Sequence, residues 1–279
     1  MLGQKGTQAG RRQMNLSMFL TGDGNYHMAG WRLPSARVDG GHSIKFWTDA
    51  ARIMERGKID MMFIADGTAV DGADDLETLS YTSRIDRMDP ISILSAVSMV
   101  TTRLGLGATI STTFNEPFNI ARIIASLDHI SEGRAGWNIV TGANKADALN
   151  YSHAEPVPHA KRYERAEEFV DVVRGLWDTY EEDAFPRDKS ARYLNPEKVR
   201  LLNHKGRHFT VQGPLSVPRT PQGHPVLIQA GSSDVGMALS ARVADIVFTS
   251  QSSREGAARF YASIKELAVQ HGRDPEAIK

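Results

Sequence analysis

Polar residues able to contact a ligand recur in this chain at the ends of short apolar runs. Asp66 closes Met61-Met62-Phe63-Ile64-Ala65, Thr109 closes Leu104-Gly105-Leu106-Gly107-Ala108, and Asn138 follows Ala135-Gly136-Trp137. Runs of this length bounded by turn signals read as buried strands. Strands that finish on a carboxylate, a hydroxyl and an amide form one rim of a parallel α/β barrel, the rim where such barrels hold their ligands. An isolated carboxylate after an apolar strand is costly unless it accepts hydrogen bonds, so Asp66 either caps a turn or meets a ligand. Thr109 and Asn138 bond within the protein or to that same ligand.

A second segment, Gln229-Ala230-Gly231-Ser232-Ser233-Asp234, turns from a strand through glycine and small hydroxyl residues into a helix. Amides at a helix start, with serine hydroxyls beside them, form an anion seat suited to phosphate, and Ser232 or Ser233 can also act simply as the helix cap. His159 and Tyr163 lie four apart at the start of another helix, where they share a face. Together they grip an anion, or they are an ordinary face with one aromatic in the core. His27, after the first strand, is a candidate for proton handling or substrate orientation because imidazole titrates near neutrality. The alternative is a loop histidine bonded to a carbonyl. His153 stands near Glu155, but no HExxH or other compact ligand set accompanies it, so no metal is expected. The absence of a Gly-x-Ser-x-Gly elbow, a Walker loop and a Gly-x-Gly-x-x-Gly run argues against serine hydrolases, P-loop enzymes and Rossmann dehydrogenases.

The elements that must position these residues alternate. Ile44, Trp47, Ala51 and Met54 mark a helix over residues 42 to 58, followed at once by the Asp66 strand. Pro90 to Thr102 is a second helix, Ile120 to Ile130 a third, and Tyr163, Ala166, Val170, Val173 and Trp177 mark a fourth. Strand and helix alternate without a hairpin signal, which predicts a parallel sheet. The rhythm breaks between Glu181 and Gly223, where five prolines forbid a long regular element, although His208-Phe209-Thr210-Val211 suits a short extra strand. Order returns with the strand Val226 to Ala230, the helix Ser232 to Val243, the strand Ile246 to Phe248 and a last helix from Ser253 to about His271. That makes six strand–helix units, whereas a closed eight-stranded sheet needs two more strands. The expectation is a fragment or truncated gene product, or a gap covered by a partner chain. Residues 1–13 read as a disordered lead and 14–279 as one domain with an insertion at about 181–223.

At 279 residues and 41% hydrophobic the chain is long enough for one large core. Lys plus Arg and Asp plus Glu balance at 33 each, so no global field favours nucleic acid or an anionic membrane. With no cysteine, disulfides, thiolate metal sites and cysteine nucleophiles are excluded. Neither a secretory leader nor a membrane-length apolar run is present, and a cytoplasmic protein is expected.

Taken in order, Met18-Phe19-Leu20, Tyr26-His27-Met28-Ala29-Gly30-Trp31-Arg32, Phe63-Ile64-Ala65-Asp66, Ser111-Thr112-Thr113, Leu127-Asp128-His129, Gly133 to Thr141, Arg162-Tyr163 and Gln229-Ala230-Gly231 resemble one group. It is the nitrilotriacetate, dibenzothiophene-sulfone and long-chain-alkane monooxygenase branch of the bacterial luciferase-like flavin enzymes. The resemblance, from about residue 14 onward, implies a luciferase-like (β/α)8 TIM barrel, lacking its strands 7 and 8 here, with the insertion before strand 5. It implies reduced FMN delivered by a separate NAD(P)H:flavin reductase, and oxidation of a small organic substrate (organosulfur, aminopolycarboxylate or hydrocarbon) by dioxygen through a flavin C4a-(hydro)peroxide. Carried over residue by residue, the flavin contacts fall on Asp66, Thr109, Asn138, His159, Tyr163 and Ser233, with Ser232 beside it. Phe19 and Trp137 would wall the ring system, and His27 matches a histidine near the substrate. The insertion would form a lid and subunit contacts in a homodimer or homotetramer. Where alkane-oxidising members carry a histidine after the Asn-x-Val-Thr run, this chain has Gly142-Ala143. A deazaflavin-dependent oxidoreductase and an inactive flavin-binding subunit are the alternatives.

Overall fold

The computed structural model describes residues 14–22, 27, 29–83 and 85–279. The lead over residues 1–13 and part of the loop after the first strand lie outside them. Six parallel strands form the main sheet: β1 (Ser17–Phe19), β2 (Met61–Ile64), β3 (Gly105–Ser111), β4 (Ala135–Val140), then β7 (Val226–Gln229) and β8 (Ile246–Val247), side by side in that order. The helices between them are α1 (Ile44–Arg56), α2 (Leu76–Leu79), α3 (Pro90–Ser98), α4 (Pro117–Ile130), α5 (Lys145–Asn150), α6 (His159–Trp177), α7 (Asp234–Val243) and α8 (Arg254–Gln270). None among the described residues is long and apolar enough to cross a membrane.

Side-chain alternation sorts the strands into two faces. Met62, Leu106, Trp137 and Leu227 point to the helices and join Trp47, Ile93, Ile124, Phe169 and Trp177 in one continuous core. The opposite face carries the register neighbours Phe19, Phe63, Gly107 and Gly136. A Cβ on Gly107 would stand 3.2 Å from Ile228, Met61 and Phe63 side-chain atoms, so this face is crowded and a side chain there would have to push these neighbours aside. The sheet curls around it. Phe19 at the end of β1 and Phe248, just past β8, belong to opposite edge strands, yet their rings stack with centroids 6.5 Å apart, and Phe63 lies 5.7 and 6.1 Å from them.

Trp137 therefore does not wall a ligand on the curled face, as the resemblance implied. One step of strand alternation from Asn138 turns it outward, where it is fully buried, packs on Phe169 at 5.8 Å, and donates its indole N–H to the Ile110 carbonyl (3.1 Å).

The irregular stretch contains an antiparallel hairpin, β5 (His204–Lys205) with β6 (Thr210–Val211), so the extra strand expected at His208–Val211 exists and has a partner of its own. The Glu168 carboxylate on α6 accepts from the His208 and Phe209 amides (2.9 Å each) and bonds His204 Nε2 (2.9 Å). Buried Asp128 on α4 accepts from the Ala135 and Gln222 amides (3.1 Å each) and from Gln222 Nε2 (2.6 Å). These two anchors hold the excursion along α4 and α6, on the helix side of the sheet. It contributes no lining residue to the cavity described below.

Candidate functional site

A cavity of about 330 Å³ opens where β2, β4 and β7 end and α6 begins. Asp66, Asp147 and Tyr163 line it, together with the turns Thr141-Gly142-Ala143 and Gln229-Ala230-Gly231. Three separate stretches of sequence thus meet at the carboxyl ends of parallel strands, the position where such sheets hold ligands.

Thr109 and Asn138 are register partners on β3 and β4, and the Asn138 amide nitrogen donates to the Thr109 hydroxyl (2.9 Å). Asn138 is 3% exposed, and its Oδ1 is buried with no hydrogen-bond partner among the described residues. Leaving such an acceptor unmet costs about 1–3 kcal/mol. An N–H donor on a bound ligand would recover it.

At the other end, α6 and α7 bring their amino termini together. His159 and Tyr163 are ring neighbours at 4.8 Å. A Cβ on Gly231 would lie 2.8 Å from the Gly236 Cα and 2.9 Å from the Tyr163 hydroxyl, so the Tyr163 ring reaches the turn that starts α7 only because both positions are glycine. Gln229 Oε1 fixes that turn by accepting from the Gly231 amide (2.6 Å). Ser233 is the α7 cap, its hydroxyl accepting from the Gly236 amide (3.2 Å), and Ser232 beside it is exposed. Ser233 thus fills the capping role, and two helix amino termini meet around Tyr163 with their dipoles favouring an anion.

Asp66 is half-buried. Burial first, then the negative charge of Asp89 and more weakly of Asp147, raises its carboxyl pKa above the ordinary 3.8, against the opposing pull of Arg87 and the Gly67 amide. Asp147, buried and bonded to the Thr68 hydroxyl at 3.0 Å, did not stand out in the sequence. Three residues after the Asn144 cap of α5, it reads there as an ordinary first-turn acid. Arg162 and Arg165 were likewise missed as site builders: they donate to the Gly142 and Thr112 carbonyls, tying the ends of β4 and β3 to α6. Phe19 lies at the rim in the aromatic trio. His27 is exposed, accepts at Nδ1 from the Ala29 amide (3.2 Å), and lines none of the cavities around Asp66.

Residues 26–279 match the model of the luciferase-like monooxygenase family, and the chain belongs to that family. It is 49% identical over 269 residues to N-acetyl-S-(2-succino)cysteine monooxygenase of Bacillus subtilis (strain 168), covering 96% of this chain and 59% of the relative. It is 46% identical over 275 residues to nitrilotriacetate monooxygenase component A of Aminobacter aminovorans, covering 96% and 60%. The crystal structure of a riboflavin lyase with modified FMN and its substrate riboflavin superposes with a TM-score of 0.89 at 34% identity, over 96% of this chain and 61% of the other. The chain thus spans about three-fifths of the length of the curated relatives it matches.

Proposed function

We propose that the cavity between Asp66, Tyr163 and Gly231 binds FMN, and that the chain acts as the oxygenating component of a two-component monooxygenase. Residues 14–279 would form one domain, the first six strands of a (β/α)8-type barrel. Reduced FMN would come from a separate NAD(P)H:flavin reductase, dioxygen would be the oxidant, and the substrate would be a small organosulfur, aminopolycarboxylate or hydrocarbon molecule. The observation that carries this reading is the Asn138 Oδ1, buried and without a hydrogen-bond partner among the described residues, on β4, whose carboxyl end leads into the cavity beside two converging helix amino termini. A flavin offers an N–H in its ring system and a phosphate at its other end, and the residues present suit both.

Bound reduced flavin supplies the electrons that activate dioxygen. The protein's contribution is binding, orientation and exclusion of solvent. Asn138, held in one orientation by Thr109, would accept from the ring N–H. Asp66 would stand beside the same ring system, where burial raises its carboxyl pKa above the ordinary value. His159, Tyr163, the Ser232–Ser233 turn and the first amides of α7 would hold the phosphate. Phe19 would form an apolar wall, and His27, carried by the loop after β1, would orient substrate. A homodimer or homotetramer is the proposed assembly.

Fluorescence titration tests the reading: FMN should bind saturably, and Asn138→Leu should weaken binding by about tenfold or more. With a flavin reductase and NADH, substrate-dependent oxygen uptake is expected. Hydride transfer from a deazaflavin without oxygen uptake would support the alternative oxidoreductase, and FMN binding with no product across a substrate panel would mark an inactive flavin-binding subunit. No binding of FMN would end the proposal.

A further inference from the structure

Behind Asp66, on the side away from Tyr163, lies a second, smaller chamber of about 150 Å³ between the ends of β1 and β2 and the first turns of α1 and α3. Its walls are largely apolar, formed chiefly by Phe19, Leu20, Ile64 and Ile93, with the charged Asp66 and Arg87 beside them. Two of its lining residues are nevertheless polar and unsatisfied. The Trp47 indole Nε1 and the Thr21 hydroxyl are both buried, and neither has a hydrogen-bond partner among the described residues. An indole N–H only donates, and a threonine hydroxyl donates as readily as it accepts. Trp47 is 3% exposed and sits in the first turn of α1, so its ring cannot swing into solvent to satisfy itself. Two such groups without partners among the described residues, on residues that line one largely apolar chamber, suit a ligand with an acceptor oxygen on an otherwise apolar body.

Charge narrows the class. The wall carries one carboxylate, Asp66, and one guanidinium, Arg87, so the chamber favours neither sign of ionic ligand. Size narrows it further, because a cavity of about 150 Å³ holds a benzene-sized molecule of about six heavy atoms.

We propose that this chamber is a binding site for a compact, uncharged carbonyl compound, such as a small ketone or amide, whose oxygen accepts from Trp47 Nε1 and from Thr21. Asp66 is the partition between this molecule and the larger cavity. The site stands on its own geometry, and its test needs no flavin.

The chain has four tryptophans, so its indole N–H resonances can be followed singly by ¹H–¹⁵N NMR, with Trp47 assigned by its loss in Trp47→Phe. The probe is cyclopentanone, and the control is cyclopentane, which has the same body and no acceptor. Cyclopentanone should move the Trp47 signal alone and saturably, at millimolar concentration. Thr21→Val, which keeps the shape and removes the hydroxyl, should weaken that binding about three- to tenfold. Cyclopentane should leave the Trp47 signal in place. If Trp47→Phe does not fold, the rise in Tm with cyclopentanone over cyclopentane, in the unaltered chain and in Thr21→Val, gives a second reading. A Trp47 signal unmoved by the ketone, as for a chamber filled only by water, would overturn the proposal. So would equal movement by the two probes, or unchanged affinity and Tm shift in Thr21→Val.

Discussion

The Asn138 side chain spends its amide nitrogen on Thr109, at 2.9 Å across the β3–β4 register, and leaves its oxygen buried without a partner among the described residues. The bond fixes which end of the amide faces onward, so Thr109 acts as the orienting residue for an acceptor. Thr109→Val keeps the shape and removes the bond. It should destabilise the fold by about 1–3 kcal/mol, since a buried N–H is left unmet, and should weaken FMN binding as Asn138 loses its fixed orientation. Urea unfolding and FMN titration of the same variant check both effects. Asn138→Leu removes both polar atoms, so it should cost less stability than Thr109→Val while losing more affinity. The reverse order would mean that Asn138 is structural only.

Asp66 gives a pH-dependent contrast. Its carboxyl binds a proton more tightly in the fold than in the unfolded chain, through burial and the nearby Asp89 charge. Its contribution to stability is therefore fully present below the ordinary value of 3.8 and is lost as pH rises through the raised folded value. At pH 7 the ionised group is a net burden. Asp66→Asn should then be at least as stable as the unaltered chain at pH 7, with the difference vanishing below pH 3.8. FMN affinity should still fall about tenfold if the carboxyl contacts the flavin. Urea midpoints across pH 3 to 8 separate the two effects, and a variant less stable at pH 7 would contradict the sign.

Much of this arrangement was legible from periodicity. The six strands of the main sheet and its longer helices stand out because burial on one or both faces forces apolar runs and three-to-four spacing. The polar residues Asp66, Thr109 and Asn138 were visible for the same reason, although β3 and β4 do not finish on Thr109 and Asn138 but run on to Ser111 and Val140. What the sequence hid depends on pairing across distance. α2 and α5, four and six residues long, carry too few turns to show a periodic face. The hairpin at His204–Val211 is held by Glu168, 36 residues earlier, which in sequence is one more acid on a charged helix. The outward turn of Trp137 follows from a register of one residue, which an apolar run such as Ala135 to Val140 does not declare. The meeting of Tyr163 with Gly231 and Gly236 needed the curl of the sheet to be seen.

Glu55, at the carboxyl end of α1, offers a stability test far from the cavity. Burial works against its ionisation, but three amide donors from Thr102, Arg103 and Leu104, at 2.8, 2.6 and 3.2 Å, more than offset this and lower its pKa. All three converge on one oxygen where the chain enters β3. A lowered folded pKa means stability that is present above the ordinary 4.5 and lost as pH falls through the folded value. Glu55→Gln keeps an acceptor without the charge, and should cost about 1 kcal/mol at pH 7 because charged acceptors bind amides more strongly. The two proteins should converge in acid, which unfolding midpoints at pH 7 and pH 3 would show. A constant gap would assign the loss to packing instead.

Gly231 tests whether the approach of α6 to α7 makes the anion seat. A methyl group there would fall 2.7 Å from the Gln229 amide nitrogen, 2.8 Å from the Gly236 Cα and 2.9 Å from the Tyr163 hydroxyl. The Gln229 and Tyr163 ends could give way, but the Gly236 contact is backbone, so α7 itself must move. Overpacking of this kind costs about 1–3 kcal/mol. Because the displaced element carries the first amides of α7, Gly231→Ala should weaken FMN binding more than riboflavin binding, which differs only in lacking the phosphate. Tyr163→Phe removes the hydroxyl neighbour and leaves the backbone contact, so the double variant should recover little of the lost FMN affinity. Equal losses for FMN and riboflavin would place the phosphate elsewhere, and full recovery in the double variant would show that the tyrosine hydroxyl, and not the α7 backbone, sets the limit.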